Sequence, residues 1–128
     1  MRFLDSSAIV KLAVDEQESE SLKQYLAGTT FASSALARTE VIRAVHRRAP
    51  NRVAIAADII AQAQLVAVTT SDLEVAARLE PASLRSLDAI QVAAALRLGN
   101  ELEAFVAYDE RLLAAAAALG MPVASPGA

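Results

Sequence analysis

Met1-Arg2-Phe3-Leu4-Asp5-Ser6-Ser7-Ala8 opens the chain, and its reading decides the fold. A short apolar run stops at Asp5-Ser6-Ser7, whose oxygens are good N-cap chemistry for a helix expected from about Ala8. The same order of strand, acid and helix returns late in the chain. Ala104-Phe105-Val106-Ala107-Tyr108 reads as a strand ending at Asp109, followed by an alanine-rich helix from Glu110 to Leu119 that Gly120 closes. Working inward, a helix is expected over Glu18 to Ala27 with Gly28 as its C′ residue, then a short strand at Thr29-Thr30-Phe31-Ala32. Helices follow from Ala35 to Arg48 and, after the Pro50-Asn51 break, from Arg52 to Ala61. Gln64 to Thr70 is the clearest buried-strand candidate. Ser71-x-x-Glu74 fits a capping box that opens a short helix terminated by Pro81. Ser86 is expected to cap a helix from Leu87 to Leu98, closed by Gly99, and Met121 to Ala124 to form a last short strand. Strands alternating with helices imply an α/β domain with a parallel sheet.

With 128 residues the chain is expected to form one domain, residues 1–128, with no internal repeat or linker. Hydrophobic residues make up 55% and mean hydropathy is +0.35, enough for a sizeable core, although alanine inflates both figures. Twelve Lys and Arg against 15 Asp and Glu give a net charge of −3, which counts against a simple basic nucleic-acid binder. Cysteine is absent, which excludes thiolate chemistry, and with His46 the only histidine a multi-His zinc site or a Ser-His-Asp triad is hard to build. Asp5 and Lys11 interrupt any signal-peptide apolar region, and no run approaches the roughly 18 apolar residues of a membrane span. A cytoplasmic domain is expected.

The acids fall at informative places. Asp5 and Asp109 follow strands, Asp88 lies in a first helical turn, and Glu40 lies inside a helix that follows a strand. In an open parallel sheet, ligands bind beyond the carboxyl ends of the strands, near the topological switch point. Carboxylates separated by 35, 48 and 21 residues can meet there. Each has a plain structural explanation: Asp5 and Asp109 as N-caps, Asp88 as a helix-dipole partner, Glu40 as the i, i+3 partner of Arg43. Only the joint pattern favours a site. Unit charges about 4 Å apart repel by roughly 4 kcal/mol at an effective dielectric near 20. A hard divalent cation relieves that conflict, and Mg²⁺ or Mn²⁺ suits phosphate chemistry without His or Cys.

Four segments carry a family resemblance: Phe3-Leu4-Asp5-Ser6-Ser7-Ala8, Ala35-Leu36-Ala37-Arg38-Thr39-Glu40-Val41, Ser86-Leu87-Asp88-Ala89-Ile90, and Val106-Ala107-Tyr108-Asp109-Glu110-Arg111-Leu112. In this order the chain resembles the PIN-domain ribonucleases, and among them the VapC-type toxins of bacterial toxin–antitoxin pairs. The resemblance implies a three-layer α/β/α sandwich and a Mg²⁺- or Mn²⁺-dependent endoribonuclease that cuts RNA with a metal-activated water. It makes Asp5 and Asp88 the principal metal ligands, sets Glu40 beside them directly or through water, and lets Asp109 complete the quartet. Ser6 or Ser7 would hydrogen-bond a carboxylate or the scissile phosphate. Where many relatives carry His three residues after the third acid, this chain has Gln91, which bears on substrate contacts. A homodimer and a small antitoxin, one segment of which occupies the groove, are implied as partners.

The stretch Arg38 to Arg52 carries five Arg and His46 against the single Glu40. It reads either as a phosphate-tracking edge, with Arg47 and Arg48 on RNA, or as a solvated helix face. Phe3, Phe31 and Phe105 belong to the core rather than to base-stacking platforms. Haloacid-dehalogenase chemistry needs an Asp where Ser7 stands. A receiver domain needs an acidic pair after the first strand and a late Lys, whereas the only lysines are Lys11 and Lys23. The alternative to an enzyme is a PIN-like module that binds RNA or protein without cutting.

Overall fold

Along β1 (Arg2–Leu4) successive side chains enter opposite layers, as the period of two in a strand requires. In the computed structural model, which describes residues 1–128, Phe3 joins Val92, Phe105 and Leu112 on one side of the sheet, and Leu4 joins Ile9, Val41 and Val106 on the other. The sheet has five parallel strands in the order β3-β2-β1-β4-β5, with β2 at Phe31–Ser34, β3 at Gln64–Val66, β4 at Ala104–Val106 and β5 at Val123–Ala124. Helices α1 (Ser6–Ala13), α2 (Ser19–Leu26), α3 (Ala37–Arg48) and α4 (Val53–Gln62) supply the core on the Leu4 side. Helices α6 (Ser86–Leu96) and α7 (Glu110–Ala118) supply the Phe3 side, and α5 (Thr70–Ala77) packs on α6. The result is the expected three-layer α/β/α sandwich. Burying both faces of a parallel sheet explains why β1 and β4 read as continuous apolar runs.

Four local expectations shift. The second strand starts at Phe31, not Thr29. Gly28 takes φ +75° and the Thr29 hydroxyl donates to the Leu26 carbonyl at 2.9 Å, which uses residues 28 to 30 to close α2. The Gln64 to Thr70 strand stops at Val66 and is half-exposed, because β3 lies at the sheet edge and pairs only with β2. The capping box is built by Thr69 and Asp72 rather than Ser71 and Glu74. Ser86 is the first residue of α6, and Arg85 stands at the cap with no side-chain capping bond to the helix backbone.

Asp72 does more than cap α5. It is buried, and it accepts from the Thr69 N–H at 3.0 Å and from Arg97 Nε and Nη2 at 3.1 and 3.0 Å. Burial by itself would raise this carboxyl. The bonds from Arg97 and Thr69 outweigh it and hold the group below its ordinary 3.8. Asp72→Ala is expected to cost about 2 kcal/mol, roughly half from the lost cap and half from the partly screened pair. Urea unfolding measures it. A depressed carboxylate stabilises above its unfolded value and stops doing so as pH falls through the folded one, so the penalty should shrink below about pH 4.

Candidate active site

The strand order reverses direction between β1 and β4, so the crevice expected in such sheets opens at the carboxyl ends of those two strands. The Asp5 N–H donates to the Val106 carbonyl at 3.1 Å, which ties the two strand ends together. Asp5 caps α1: Oδ1 accepts from the Ala8 N–H at 2.9 Å, and Ser7 Oγ donates to Oδ2 at 2.8 Å. Asp109 caps α7 in the same manner, its Oδ1 accepting from the Arg111 and Leu112 N–H groups at 2.8 and 3.2 Å. The cap explanation is thus correct for both acids, and it does not compete with a site. Capping occupies chiefly one oxygen of each carboxylate and aims the pair at the crevice.

Asp88 lies in the first turn of α6, where Arg85 Nε approaches Oδ2 at 3.3 Å from a largely exposed position. Glu40, on α3, makes no pair with Arg43. Its Oε1 accepts from Ser6 Oγ at 2.8 Å and from Gln91 Nε2 at 3.4 Å. All four predicted acids line one groove of about 530 Å³, together with Ser6, Ser7, Arg47 and Arg48. An adjoining pocket shares Arg85, Asp88 and Asp109 with it and adds Arg111.

Asp5 is the electrostatic centre of the groove. It is 4% exposed and, like Glu40 and Asp109, takes part in no ion pair. Burial pushes its carboxyl up to about 6, against the lowering bonds from Ala8 and Ser7, and the charges of Asp88 and Glu40 add to the rise. The donor set is all oxygen, one member is buried and uncompensated, and a hard divalent cation would supply the missing charge. No three acids are already gathered within ligating reach. A cation that keeps several waters and takes one or two carboxylates directly fits this spacing; one that demands a closed protein cage does not.

The remaining expectations divide. Ser6 and Ser7 each have one hydroxyl proton, and the structure commits these to Glu40 and Asp5. Of the two roles expected for them, the carboxylate contact is the one formed. The basic stretch splits too. Arg47 and Arg48 reach the groove, Arg52 Nε closes the end of α1 by donating to the Ala13 carbonyl at 2.8 Å, and His46 is exposed. Four polar or charged groove residues escaped sequence reasoning: Lys11, Glu16, Arg85 and Tyr108. Glu16 accepts from Lys11 Nζ at 3.2 Å and Arg48 Nη1 at 3.0 Å, and Lys11 also rests 4.8 Å from the Tyr108 ring. Lys11 was findable, since Ser7 and Lys11 share a helix face at i, i+4; Glu16 sits between helices, where no periodicity points to it.

An open parallel α/β sheet with acids converging at its switch point defines a class of hydrolytic and phosphate-handling sites. The PIN domain model matches residues 2–118. Ribonuclease VapC46 of Mycobacterium tuberculosis is 45% identical over 125 residues, covering 97% of this chain and 96% of the relative. Ribonuclease VapC47 of the same species is 38% identical over 134 residues, covering 100% of this chain and 98% of the relative. The chain belongs to the PIN-domain family, within its VapC-type group. In fold it is similar to the crystal structure of M. tuberculosis VapC20, described as a sarcin-ricin loop cleaving toxin, with TM-score 0.78 at 20% identity over 98% of this chain and 100% of that one. No helix is long and apolar enough to cross a membrane.

Proposed function

We propose that this protein is a Mg²⁺-dependent endoribonuclease acting in the cytoplasm as the toxin of a toxin–antitoxin pair. The observation that carries the reading is the buried, unpaired Asp5 facing Glu40 and Asp88 in the switch-point groove. Relatives named as ribonucleases along nearly their whole length support the substrate class. Asp5 and Asp88 would hold the ion, Glu40 would act beside them directly or through water, and Asp109 would complete the quartet; Mn²⁺ would serve in place of Mg²⁺. Held there by Asp5 and Asp88, an ion would supply a lowered pKa for water and positive charge to offset that of a scissile phosphate. The protein's own part is orientation. Ser7 and the Ala8 amide hold Asp5, Ser6 holds Glu40, and Arg47 and Arg48 offer cations to the RNA backbone.

Cleavage of a structured RNA, followed with and without EDTA, tests the reading. The expected result is cleavage with Mg²⁺ or Mn²⁺, loss of it with EDTA, and products bearing 5′-phosphate and 3′-hydroxyl ends. Undiminished cleavage in EDTA, or 2′,3′-cyclic phosphate ends, would overturn it. Binding without cutting under every ion condition would favour the non-catalytic module. Co-expression with the product of an adjoining short reading frame should silence cleavage, and sedimentation should return a homodimer.

Arg47→Ala combined with Arg48→Ala should weaken RNA binding and lower the slope of log K against log salt by about 1 to 2, since each phosphate contact on a single strand contributes roughly 0.7. An unchanged slope would make this a solvated helix face. Arg47 is expected to carry the larger share, because Arg48 is already engaged by Glu16.

A further inference from the structure

Gln91 lies one turn beyond Asp88 on α6 and is only 2% exposed. Its Nε2 donates to Ser6 Oγ at 2.8 Å and, more weakly, to Glu40 Oε1 at 3.4 Å. Ser6 in turn gives its proton to the same Glu40 oxygen at 2.8 Å. One carboxylate oxygen is therefore held by a relay joining α6, α1 and α3, while Glu40 Oε2 has no hydrogen bond from the protein. The orientation of the amide follows from proton supply. Turned the other way, Gln91 would set a carbonyl oxygen against a carboxylate oxygen and a hydroxyl whose proton is already committed.

The arrangement has a cost that packing does not explain. Gln91 Oε1 is buried and receives no hydrogen bond from the protein, which is unfavourable for a polar atom removed from solvent. An apolar side chain of similar volume would fill the same space without that orphan. We propose that Gln91 is a positioning residue for Glu40: with Ser6 it pins Oε1 and leaves Oε2 as the single oxygen that Glu40 presents to the groove. What Glu40 then does rests on the ribonuclease reading above; the pinning itself does not.

Two variants test this. Gln91→Leu removes the donor and the orphan together, and Ser6→Ala breaks the relay from its other side. In metal-free protein, the side-chain carboxyl carbon of Glu40 should shift its NMR resonance in both variants and return to the wild-type position in Ser6→Thr, which restores a hydroxyl. In RNA cleavage, kcat should fall about ten- to a hundredfold in Gln91→Leu with KM within about twofold, and its melting temperature should hold or rise. An unmoved Glu40 resonance in both variants, or an effect confined to KM, would overturn the proposal. A resonance that shifts in both variants, together with wild-type protein that cuts no RNA, would sink the ribonuclease reading and leave the positioning role standing.

Discussion

Asp5→Asn is expected to lower RNA cleavage by at least about a hundredfold while raising the stability of the metal-free protein. The activity loss follows from halving the charge that Asp5 and Asp88 together offer a cation, an interaction worth several kcal/mol in such sites. The stability gain follows from burial. Asn is as good an N-cap as Asp, so the bond from the Ala8 amide survives. What disappears is an ionised group whose folded value, about 6, stands above its ordinary 3.8. For an acid shifted upward, the unfolded chain releases its proton first. Stability therefore falls as pH climbs from about 4 to about 6 and stays low above that. At pH 8 the shift corresponds to at most about 3 kcal/mol, and relief of about 1–3 kcal/mol would raise the melting temperature by roughly 3–10 °C. Thermal melts of both proteins from pH 4 to pH 8 in EDTA read this directly, and their difference should vanish at the acid end. A variant less stable than wild type at pH 8 would mean that Asp5 serves as a structural cap alone. The same substitution at Asp88 is expected to raise metal-free stability less, because that carboxylate is partly exposed and has Arg85 beside it.

Phe105→Ala is expected to destabilise the protein by about 3–5 kcal/mol, a large share of the 5–15 kcal/mol available to a domain. Phe105 and Phe3 are fully buried, with ring centroids 5.7 Å apart and planes within 12° of parallel. They sit on the adjacent strands β4 and β1, directly paired in register. Truncating either leaves a cavity that the paired backbone cannot close. Neither ring lines the groove, so catalysis per folded molecule should survive at low temperature and fail early on warming. Urea unfolding of Phe105→Ala, Phe3→Ala and the double variant measures the coupling. The double variant should cost less than the two singles added, because the second truncation removes contacts already lost. Strict additivity would show that the stack contributes nothing beyond burial.

Much of this was legible one residue at a time. Apolar runs of the right length, the Asp5 and Asp109 caps, and Gly28 and Gly120 closing their helices are local signals, readable within a few positions. The misreadings are local competitions as well. Thr69 outcompetes Ser71 for the α5 cap because Asp72 is also held by Arg97, just past the end of α6 and 25 residues away. Glu40 escapes Arg43 because Ser6 and Gln91, 34 and 51 residues distant, both donate to its Oε1 at a half-buried position on the groove. Net charge was the least informative number. The excess of acids does not spread evenly; part of it is gathered in a groove that Arg47 and Arg48 border.

The chain by itself determined the alternation of strands and helices, the two layers that the Phe3 and Leu4 faces require, and the identity of four acids at element ends. Those depend on hydrophobic period and capping, which act over one or two turns. Only the tertiary structure decided that Asp5 would be buried outside any ion pair with Lys or Arg, that Ser6 and Ser7 would give their protons to carboxylates, and that Gln91 would stand behind Glu40. Such contacts depend on how α1, α3 and α6 approach across the sheet, and that is set by the packing of both cores together, not by any short stretch of residues.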